Sequence, residues 1–398
     1  MSAVAAYREL LRIVGPAYIV VAFLGRIPLA MSQLGTLVLV STITGSYTLG
    51  GAAAGAMALS NALAAPVGGS LSDRIGQRPV VLVQSWWGAI GLVAIVWATQ
   101  NDASGFAIVA ISALAGVAIP QVGPLARVRW ANVSRGRTDS KKLIDAAFSY
   151  EGAADEASFV FGPALVGLLA FLVNPSGAML AAAGLLAFFG TVFAIHPTGK
   201  FTKSESKIDP GPFLTKILAV LALAQVSIGM VFGASQTGTT VLAIESGDPG
   251  VAGLVHATMG VGSVVAGLAV ASLPEHITYA KRAQVSAITL FVLSVPLLFS
   301  HTITTVVITI FLMGFAVAPF MISNFALAGR VVREDRVGTA MTLLAGATVF
   351  GYAIGSGTAG RLADIGGHTP AYAVAVVAAV ISVMCTQFTS RTMDKSRS

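Results

Sequence analysis

The sequence is poor in charge. Asp, Glu, Lys and Arg make up only 10% of its 398 residues, while 55% of the residues are hydrophobic. An ordinary globular domain carries about 25% charged residues, because a water-soluble fold needs a polar exterior. The composition therefore excludes an ordinary soluble domain and favours a chain that is surrounded by the lipid bilayer.

Cysteine is almost absent as well. Cys385 is the single cysteine, so no internal disulfide can form and no cysteine cluster can bind a metal. The glycine-rich segments lie inside apolar stretches, and no phosphate-binding loop or nucleophile–base set accompanies them. We therefore expect no metal site and no cofactor, and we predict that the protein is not an enzyme.

Apolar stretches of about 20 residues, long enough to cross a bilayer as helices, recur along the whole chain between short polar breaks. The first stretch has no small-residue cleavage site behind it, so we interpret it as a retained span and not as a signal peptide. The pattern predicts an all-α membrane protein with twelve transmembrane helices, here spans 1 to 12, at 14–41, 47–70, 79–98, 104–126, 143–172, 176–196, 214–243, 250–273, 282–300, 303–328, 338–362 and 369–389.

The longest polar connection follows span 6 and divides the chain into halves. It predicts an N-terminal six-helix bundle over 1–196, a central cytoplasmic loop over 197–213 and a C-terminal six-helix bundle over 214–398. The 43 glycines fit such bundles, because small residues let membrane helices approach closely.

Basic residues fall on one side of this arrangement. If the N-terminus is cytoplasmic, every Lys or Arg except Arg26 and Arg361 lies in a cytoplasmic segment or beside one. This asymmetry predicts a multi-pass protein of the cell membrane with both termini cytoplasmic. The net charge of +7 is spread over several short segments, so we expect no nucleic-acid partner.

Between spans 2 and 3 the chain reads GGSLSDRIGQRPVVL, which contains the pattern G-x-x-x-D-R-x-G-x-R. This pattern resembles the loop signature of the major facilitator superfamily, although Gln77 stands where many members have Arg. With RIPLAM (26–31), TGS (44–46) and DEASFVFGP (155–163), the chain is similar to a bacterial efflux-type branch of that superfamily, described as drug or sugar efflux proteins.

The resemblance implies a conformational latch that stabilises the outward-facing state. Gly69 would permit close helix approach and Gly76 a tight turn. Asp73 would face a helix N-terminus of the other half, while Arg74 and Arg78 would hold carboxylates or backbone carbonyls. A plain basic turn is the alternative.

Span 5 carries FGPALVG, with Gly162, Pro163 and Gly167, which resembles a degraded form of the superfamily's antiporter motif. Gly355 and Gly360 repeat the glycine spacing in span 11, as expected for an internal repeat. Close helix packing alone explains the same glycines equally well.

Span 5 also begins with three acids, Glu151, Asp155 and Glu156, and span 1 contains Arg26. A charge near the bilayer centre costs about 2.5–3.5 kcal/mol on insertion scales, so such residues face a cavity and pair. Since Arg26 and Asp155 lie at similar depth, we predict an ion pair of Arg26 with Asp155 or Glu156, and we place Glu151 one turn below, towards the solvated surface.

One arginine against three acids leaves an excess of negative charge, which favours protonation of one carboxylate and suits proton coupling. A purely structural ion pair is the alternative. Asp364 is expected to be a solvated residue beside Arg361, and His196, His256, His301 and His368 are expected at the membrane interface.

Polar residues inside other spans mark a candidate substrate cavity. Its apolar surroundings suit a weakly polar or amphipathic compound. The candidates are Gln33, Asn61, Gln121 and Tyr150 in the first half and Gln225, Gln236, Asn324 and Tyr352 in the second.

These features predict a monomeric secondary transporter that works by alternating access, with a small-molecule substrate and the bilayer as partners and a proton gradient as energy source. We expect proton-coupled efflux of a small amphipathic compound. An uptake symporter or facilitator for a polar nutrient such as a sugar is an alternative. A transporter-fold membrane sensor is another, disfavoured because the sequence lacks a long soluble segment.

Overall fold

The computed structural model describes residues 3–134, 137, 140–199, 215–270, 277–332 and 337–395. Within these ranges the chain is almost entirely helical and contains no β-strand. Short 3₁₀ turns occupy Pro197–Gly199 and Val295–Phe299. The α-helices are α1 (Ala3–Val14), α2 (Pro16–Leu24), α3 (Ile27–Thr44), α4 (Tyr47–Ile75), α5 (Gln77–Gln100), α6 (Gly105–Ala118), α7 (Val122–Val133), α8 (Ser140–Leu172), α9 (Pro175–Ile195), α10 (Lys216–Glu245), α11 (Val251–Val270), α12 (Tyr279–Ser294), α13 (Ile303–Val331), α14 (Val337–Gly366) and α15 (His368–Lys395).

These helices form twelve crossings, which confirms the predicted all-α fold. α1 is a short helix ahead of crossing 1, α2 and α3 are the two parts of crossing 1, and α6 and α7 are the two parts of crossing 4. Each other crossing is one helix, with the 3₁₀ turn Val295–Phe299 ending crossing 9. Crossing 4 extends to Val133, so Arg127 and Arg129 lie in a helix and not, as expected, in a loop.

Hydroxyl side chains start many of these helices. At each such N-terminus a Ser or Thr oxygen accepts a hydrogen bond from the backbone N–H three residues later, which satisfies a donor that has no partner inside the helix. The pairs are Ser46 with Leu49, Ser104 with Ala107, Thr215 with Leu218, Thr278 with Lys281 and Thr302 with Thr305.

Nine of the described helical segments are long and apolar enough to cross a membrane by length and composition. Crossings 2, 8 and 11 are not among them, because α4 and α14 are rich in small and hydroxyl residues and the apolar part of α11 is short. These three helices contact the opposite half: Gly51 of α4 lies against Ser356 of α14, and Gly253 of α11 lies against Pro163 of α8. A helix face that packs against another helix is rich in small residues, because they allow close contact, whereas a face that meets lipid is rich in large apolar residues.

The buried apolar residues separate mainly by chain half. One cluster joins α3, α4, α5, α6, α8 and α9 around Met31 and Leu92, and another joins α10 to α15 around Phe320 and Tyr372. Tyr352 of α14 packs in the first cluster and so bridges the halves. The proposed half boundaries remain a prediction, since 200–214, most of the expected central loop, lies outside the described residues.

The halves meet at the end of the bundle away from the chain termini, which we call the far side; the other end is the loop side. There the Asp364 carboxylate of α14 accepts hydrogen bonds from Tyr47 N (2.7 Å), Thr48 N (2.9 Å) and Ser46 Oγ (3.2 Å) at the start of α4. Gly360 also lies directly against the Tyr47 backbone. The far side is therefore closed by direct contact between crossings 2 and 11.

Candidate functional site

Two helix breaks abut in the N-terminal half. Crossing 1 breaks at Gly25–Arg26 and crossing 4 at 119–121, with a proline beside each break, Pro28 and Pro120. Proline removes a backbone donor and its ring blocks the preceding turn. A Cβ on Gly25 would lie 3.7 Å from a Val122 methyl carbon, so the breaks are neighbours. Broken helices at depth commonly mark the ion or substrate site of a transporter.

Asn61 of α4 holds the second break together. Its Nδ2 donates to the carbonyl oxygens of Gly116 (2.9 Å) and Ile119 (2.8 Å), and its Oδ1 accepts from Gln121 Nε2 at 2.6 Å. These bonds satisfy carbonyls that the interrupted helix leaves free. Asn61 and Gln121, expected to line a substrate cavity, are instead used by the helix break.

Arg26 lies at the first break and pairs with two acids of α8. Its Nη2 donates to Glu151 Oε2, and its Nε lies 3.2 Å from Asp155 Oδ1. Arg127 of α7 adds a second cation, with Nη2 at 2.7 Å from Asp155 Oδ2. Trp130 Nε1 donates to Glu151 Oε1 at 2.5 Å. Two arginines and two acids therefore form one network across three crossings.

The two acids differ in exposure. Glu151 is fully buried, whereas the Asp155 side chain is 31% exposed and Arg127 is 30% exposed. The expected position of Glu151 near the solvated surface is wrong, because the turn that carries it is covered by α7 and α2. The side chain of Glu156 lies outside the described residues.

Arg127 also changes the charge balance. The described network contains two cations and two anions, so the expected excess of negative charge is absent among these four side chains. Arg127 and Trp130 were not among the predicted site residues, because span 4 was expected to end at residue 126. Their spacing of three residues, which puts them on one helix face, was the available signal.

Arg129, on another face of α7, is almost fully buried. Its Nε donates to Gln77 Oε1 (2.8 Å), its Nη1 donates to Phe193 O (2.8 Å), and the guanidinium stacks 3.7 Å from the Phe193 ring centroid. Phe193 O is among the last carbonyls of α9, where the helix dipole favours a cation. Arg129 thus joins crossings 3, 4 and 6.

The remaining cavity candidates have different described partners in the two halves. Tyr150 lies beside Arg26 and donates to Ile19 O at 3.4 Å. In the second half, Tyr352 donates to Gln236 Oε1 (2.8 Å) and Thr348 donates to Gln225 Oε1 (3.2 Å). Gln33 is half-buried and Asn324 is fully buried; neither side chain has a hydrogen-bond partner among the described residues.

The residues of the expected latch are disengaged. No atom lies within 4 Å of a Cβ placed on Gly69, so the expected close approach is absent in this conformation. Asp73, Arg74 and Arg78 are exposed and form no ion pair within the described parts of the chain. Gly76 has φ +93°, a left-handed conformation that suits the turn after α4.

The span 5 motif lies between two helices. Gly162 packs against Ala30 of α3, the Pro163 carbonyl lies against Gly253, and Gly167 lies against Gly250 and Leu254 of α11. The glycines therefore allow crossing 5 to contact crossing 1 and, across the halves, crossing 8.

Asp364 and His256 differ in part from what was expected. Asp364 is exposed, as expected, but it also caps α4. His256 is buried within α11 and not interfacial, whereas His368 bonds Glu245 Oε2 (2.8 Å) and contacts His301 (3.3 Å) at the far side. Among the described residues no group of three or more His, Cys, Asp or Glu side chains is arranged to hold a metal ion.

Comparison with known proteins agrees with this architecture. The model of the Major Facilitator Superfamily matches residues 221–396. The Quinolone resistance protein NorA of Staphylococcus aureus (strain MRSA252) is 30% identical over 167 residues, which is 41% of this chain and 40% of NorA. The match thus spans less than half of this curated relative.

Two solved structures share the fold over nearly the whole chain. The nucleoside transporter NupG has a TM-score of 0.69 at 16% identity, covering 94% of this chain and 98% of its own. The human organic anion transporter MFSD10 has a TM-score of 0.60 at 18% identity, covering 94% and 99%. At such identities the likeness establishes the fold alone.

Proposed function

We propose that this chain, whose residues 221–396 match the Major Facilitator Superfamily model, is a proton-coupled exporter of a small amphipathic compound. It would work by alternating access, with two six-helix bundles rocking about a site at the helix breaks. The partial similarity to NorA supports export over uptake. The basic residues near the loop side support a cytoplasmic loop side in the cell membrane.

The far-side contacts support the gating step. Asp364 holds the start of α4 while Asp73, at the other end of the same helix, has no partner among the described residues. This arrangement fits a conformation that is closed outside and accessible from the cytoplasm. In the opposite conformation Asp364 would release α4 and the latch at 69–78 would close.

Asp155 carries the proton-coupling proposal. It is the partly exposed acid of the network, and among the described acids it alone contacts both arginines. When ionised it balances Arg26 and Arg127; when it takes up a proton, Arg127 loses its described anionic partner and the contact between α7 and α8 weakens. Glu151 is sealed from solvent by Arg26 and Trp130, so we assign it a structural part.

The transport cycle then has a simple order. Asp155 would be protonated while the site is open to the outside, and it would lose the proton to the cytoplasm in the conformation described here. Once the ion pairs of Asp155 with Arg26 and Arg127 are restored, the space beside the helix breaks would be free for the compound to be exported. Proton and substrate would thus use the site alternately, which is the requirement for exchange.

Inverted membrane vesicles test this proposal. Respiration acidifies the vesicle lumen, and this quenches the fluorescence of acridine orange. Norfloxacin, uridine and glucose, probes of three chemical classes, are then added outside, at the cytoplasmic face of the membrane. An exporter that exchanges a probe for protons restores the fluorescence. An uptake symporter does so only when the probe is preloaded inside.

The variant Asp155→Asn should abolish probe-induced proton release while the melting temperature in detergent stays close to that of the parent protein. Asp102→Asn is the matched control, because Asp102 is exposed in the far-side turn after α5 and forms no ion pair among the described residues. Equal proton release from the parent protein and Asp155→Asn would remove proton coupling from this residue.

A further inference from the structure

Gln77 is the departure from the family-like loop pattern, and the structure gives it two partners on α7. Its Oε1 accepts from Arg129 Nε at 2.8 Å, and its Nε2 donates to Leu125 O at 3.3 Å. Gln77 is 4% exposed and Arg129 is 1% exposed. The side-chain amide of Gln77 therefore accepts one hydrogen bond and donates another at a site that is shielded from solvent.

An arginine at position 77 cannot make these contacts. It has no acceptor for Arg129 Nε, and it would place a second guanidinium against a buried one. Like charges in a poorly hydrated site repel strongly. The presence of Arg129 thus accounts for glutamine at a position where the pattern favours arginine.

α7 connects this pair to the proton-coupling network. Arg127 and Trp130, on the same short helix as Arg129, hold Asp155 and Glu151. α7 is separated from α6 by the break at 119–121, where side-chain bonds of Asn61 replace the continuous backbone ladder. A helix attached in this way can shift as a unit when one of its contacts is lost.

We propose that Gln77 and Arg129 couple the carboxylates of α8 to the segment 69–78, the α4–α5 turn with its flanking helix ends, and that Gln77 is the positioning residue through which a movement of α7 moves this turn. This inference rests on the proposed function. Protonation of Asp155 would free Arg127, α7 would shift, and the bonded side chain of Gln77 would carry Gly76 and the start of α5 with it. The loop would then be placed to close the loop side.

Several described side chains of the neighbouring elements that surround α7 are charged or titratable. They are Arg26 between α2 and α3, Tyr18 on α2, Tyr150 on α8 and His196 after α9, together with Glu151 and Asp155. Burial lowers the pKa of His196, and the charge of Arg129 lowers it further, so both effects disfavour its protonated form.

The test measures the loop-side opening as a function of pH. Spin labels are placed at Arg12→Cys and Lys281→Cys, exposed positions on the loop side of the two halves, in a Cys385→Ser background. Double electron–electron resonance then gives the distance distribution of the purified full-length protein between about pH 8 and about pH 5. The parent protein should shift towards a shorter distance on acidification.

Gln77→Leu should retain the folded state but lose most of the pH-dependent shift, because leucine fills the site without bonding α7. Gln84→Leu is the matched control: it changes the same residue type on the same helix, at a half-buried position without a described hydrogen bond. It should shift like the parent protein. A purely structural role for Gln77 would change the melting temperature and leave the shift intact.

A charge exchange keeps the test decisive if single variants fold poorly. Gln77→Arg alone should abolish the shift or the fold, whereas Gln77→Arg with Arg129→Gln restores a donor–acceptor pair and should restore both. A full shift in Gln77→Leu, or a folded double variant without a shift, overturns this inference and leaves the proposed function standing. Failure of the double variant to fold also counts against it. Absence of any shift in the parent protein overturns the proposed function together with this inference.

Discussion

Asp364 gives the sharpest test of the proposed conformational cycle, because its contacts would have to break when the far side opens. The carboxylate accepts from two backbone N–H groups and one hydroxyl at the N-terminus of α4. Asp364→Asn keeps the shape of the side chain, removes the charge and leaves one acceptor oxygen. The substitution therefore acts on the contact between Asp364 and the start of α4 and not on the packing of α14.

The magnitude follows from these bonds. A hydrogen bond to a charged group contributes about 1.5–3 kcal/mol and a neutral one about 0.5–1.5 kcal/mol. A carboxylate at a helix N-terminus contributes about 0.3–1 kcal/mol when exposed. Since Asp364 is exposed to solvent, we take the lower part of these ranges and expect a loss of about 1–2 kcal/mol. The ratio of far-side-open to far-side-closed molecules should rise roughly fivefold to thirtyfold.

Spin labels at Phe106→Cys and Phe299→Cys, exposed far-side positions of the two halves, report this ratio as the weight of a longer distance. Arg361→Gln is the matched control, since Arg361 lies less than one turn from Asp364, is exposed and forms no ion pair among the described residues. Equal distance distributions for the parent protein, Asp364→Asn and Arg361→Gln would show that Asp364 does not hold the far side closed.

Two stability predictions concern the helix breaks. Arg26→Ala leaves the Glu151 carboxylate buried without its cation and should lower the free energy of unfolding by about 3–5 kcal/mol. Arg26→Ala combined with Glu151→Gln should cost less than the single change. Chemical unfolding in detergent measures both losses, and additive losses would contradict a direct pair. Asn61→Ala removes three hydrogen bonds to the break of crossing 4 and should cost about 2 kcal/mol. Gln33→Ala, which loses no described hydrogen bond, should leave the melting temperature nearly unchanged, and an equal loss in both variants would contradict the role of Asn61.

The fold was predictable because the bilayer imposes a strong constraint. Helices must satisfy their backbone internally and run about 20 residues through hydrocarbon, so apolar periodicity and basic loops locate crossings well. The crossings of low hydropathy, α4, α11 and α14, were still recognised, because their polar neighbours bracket a segment of the right length. Their glycine content reflects contact between halves, which a hydropathy threshold alone does not capture.

The site was less predictable, because depth along a span does not give its rotation or its breaks. Arg26 and Asp155 could be placed at one depth from residue counts, and the structure puts them in contact. The burial of Glu151 depends on α7, whose existence as a separate helix follows from Pro120 and from the bonds of Asn61. Those long-range contacts leave no periodic signal in the sequence.

In the proposed cycle, Asp364 and Asp73 would let the helix pair α4 and α14 close either the far side or the loop side. α4 and α14 run antiparallel, so the C-terminal Asp364 of α14 meets the N-terminus of α4, and Asp73 lies near the C-terminus of α4. Asp364 lies at a helix N-terminus of the other half, where unpaired N–H groups carry partial positive charge, and in the proposed cycle Asp73 would find an equivalent site. If the halves rock as proposed, gain of the Asp73 contact would accompany loss of the Asp364 contact. The far-side bonds of Asp364, together with an Asp73 that has no described partner, fit one of the two states of that exchange.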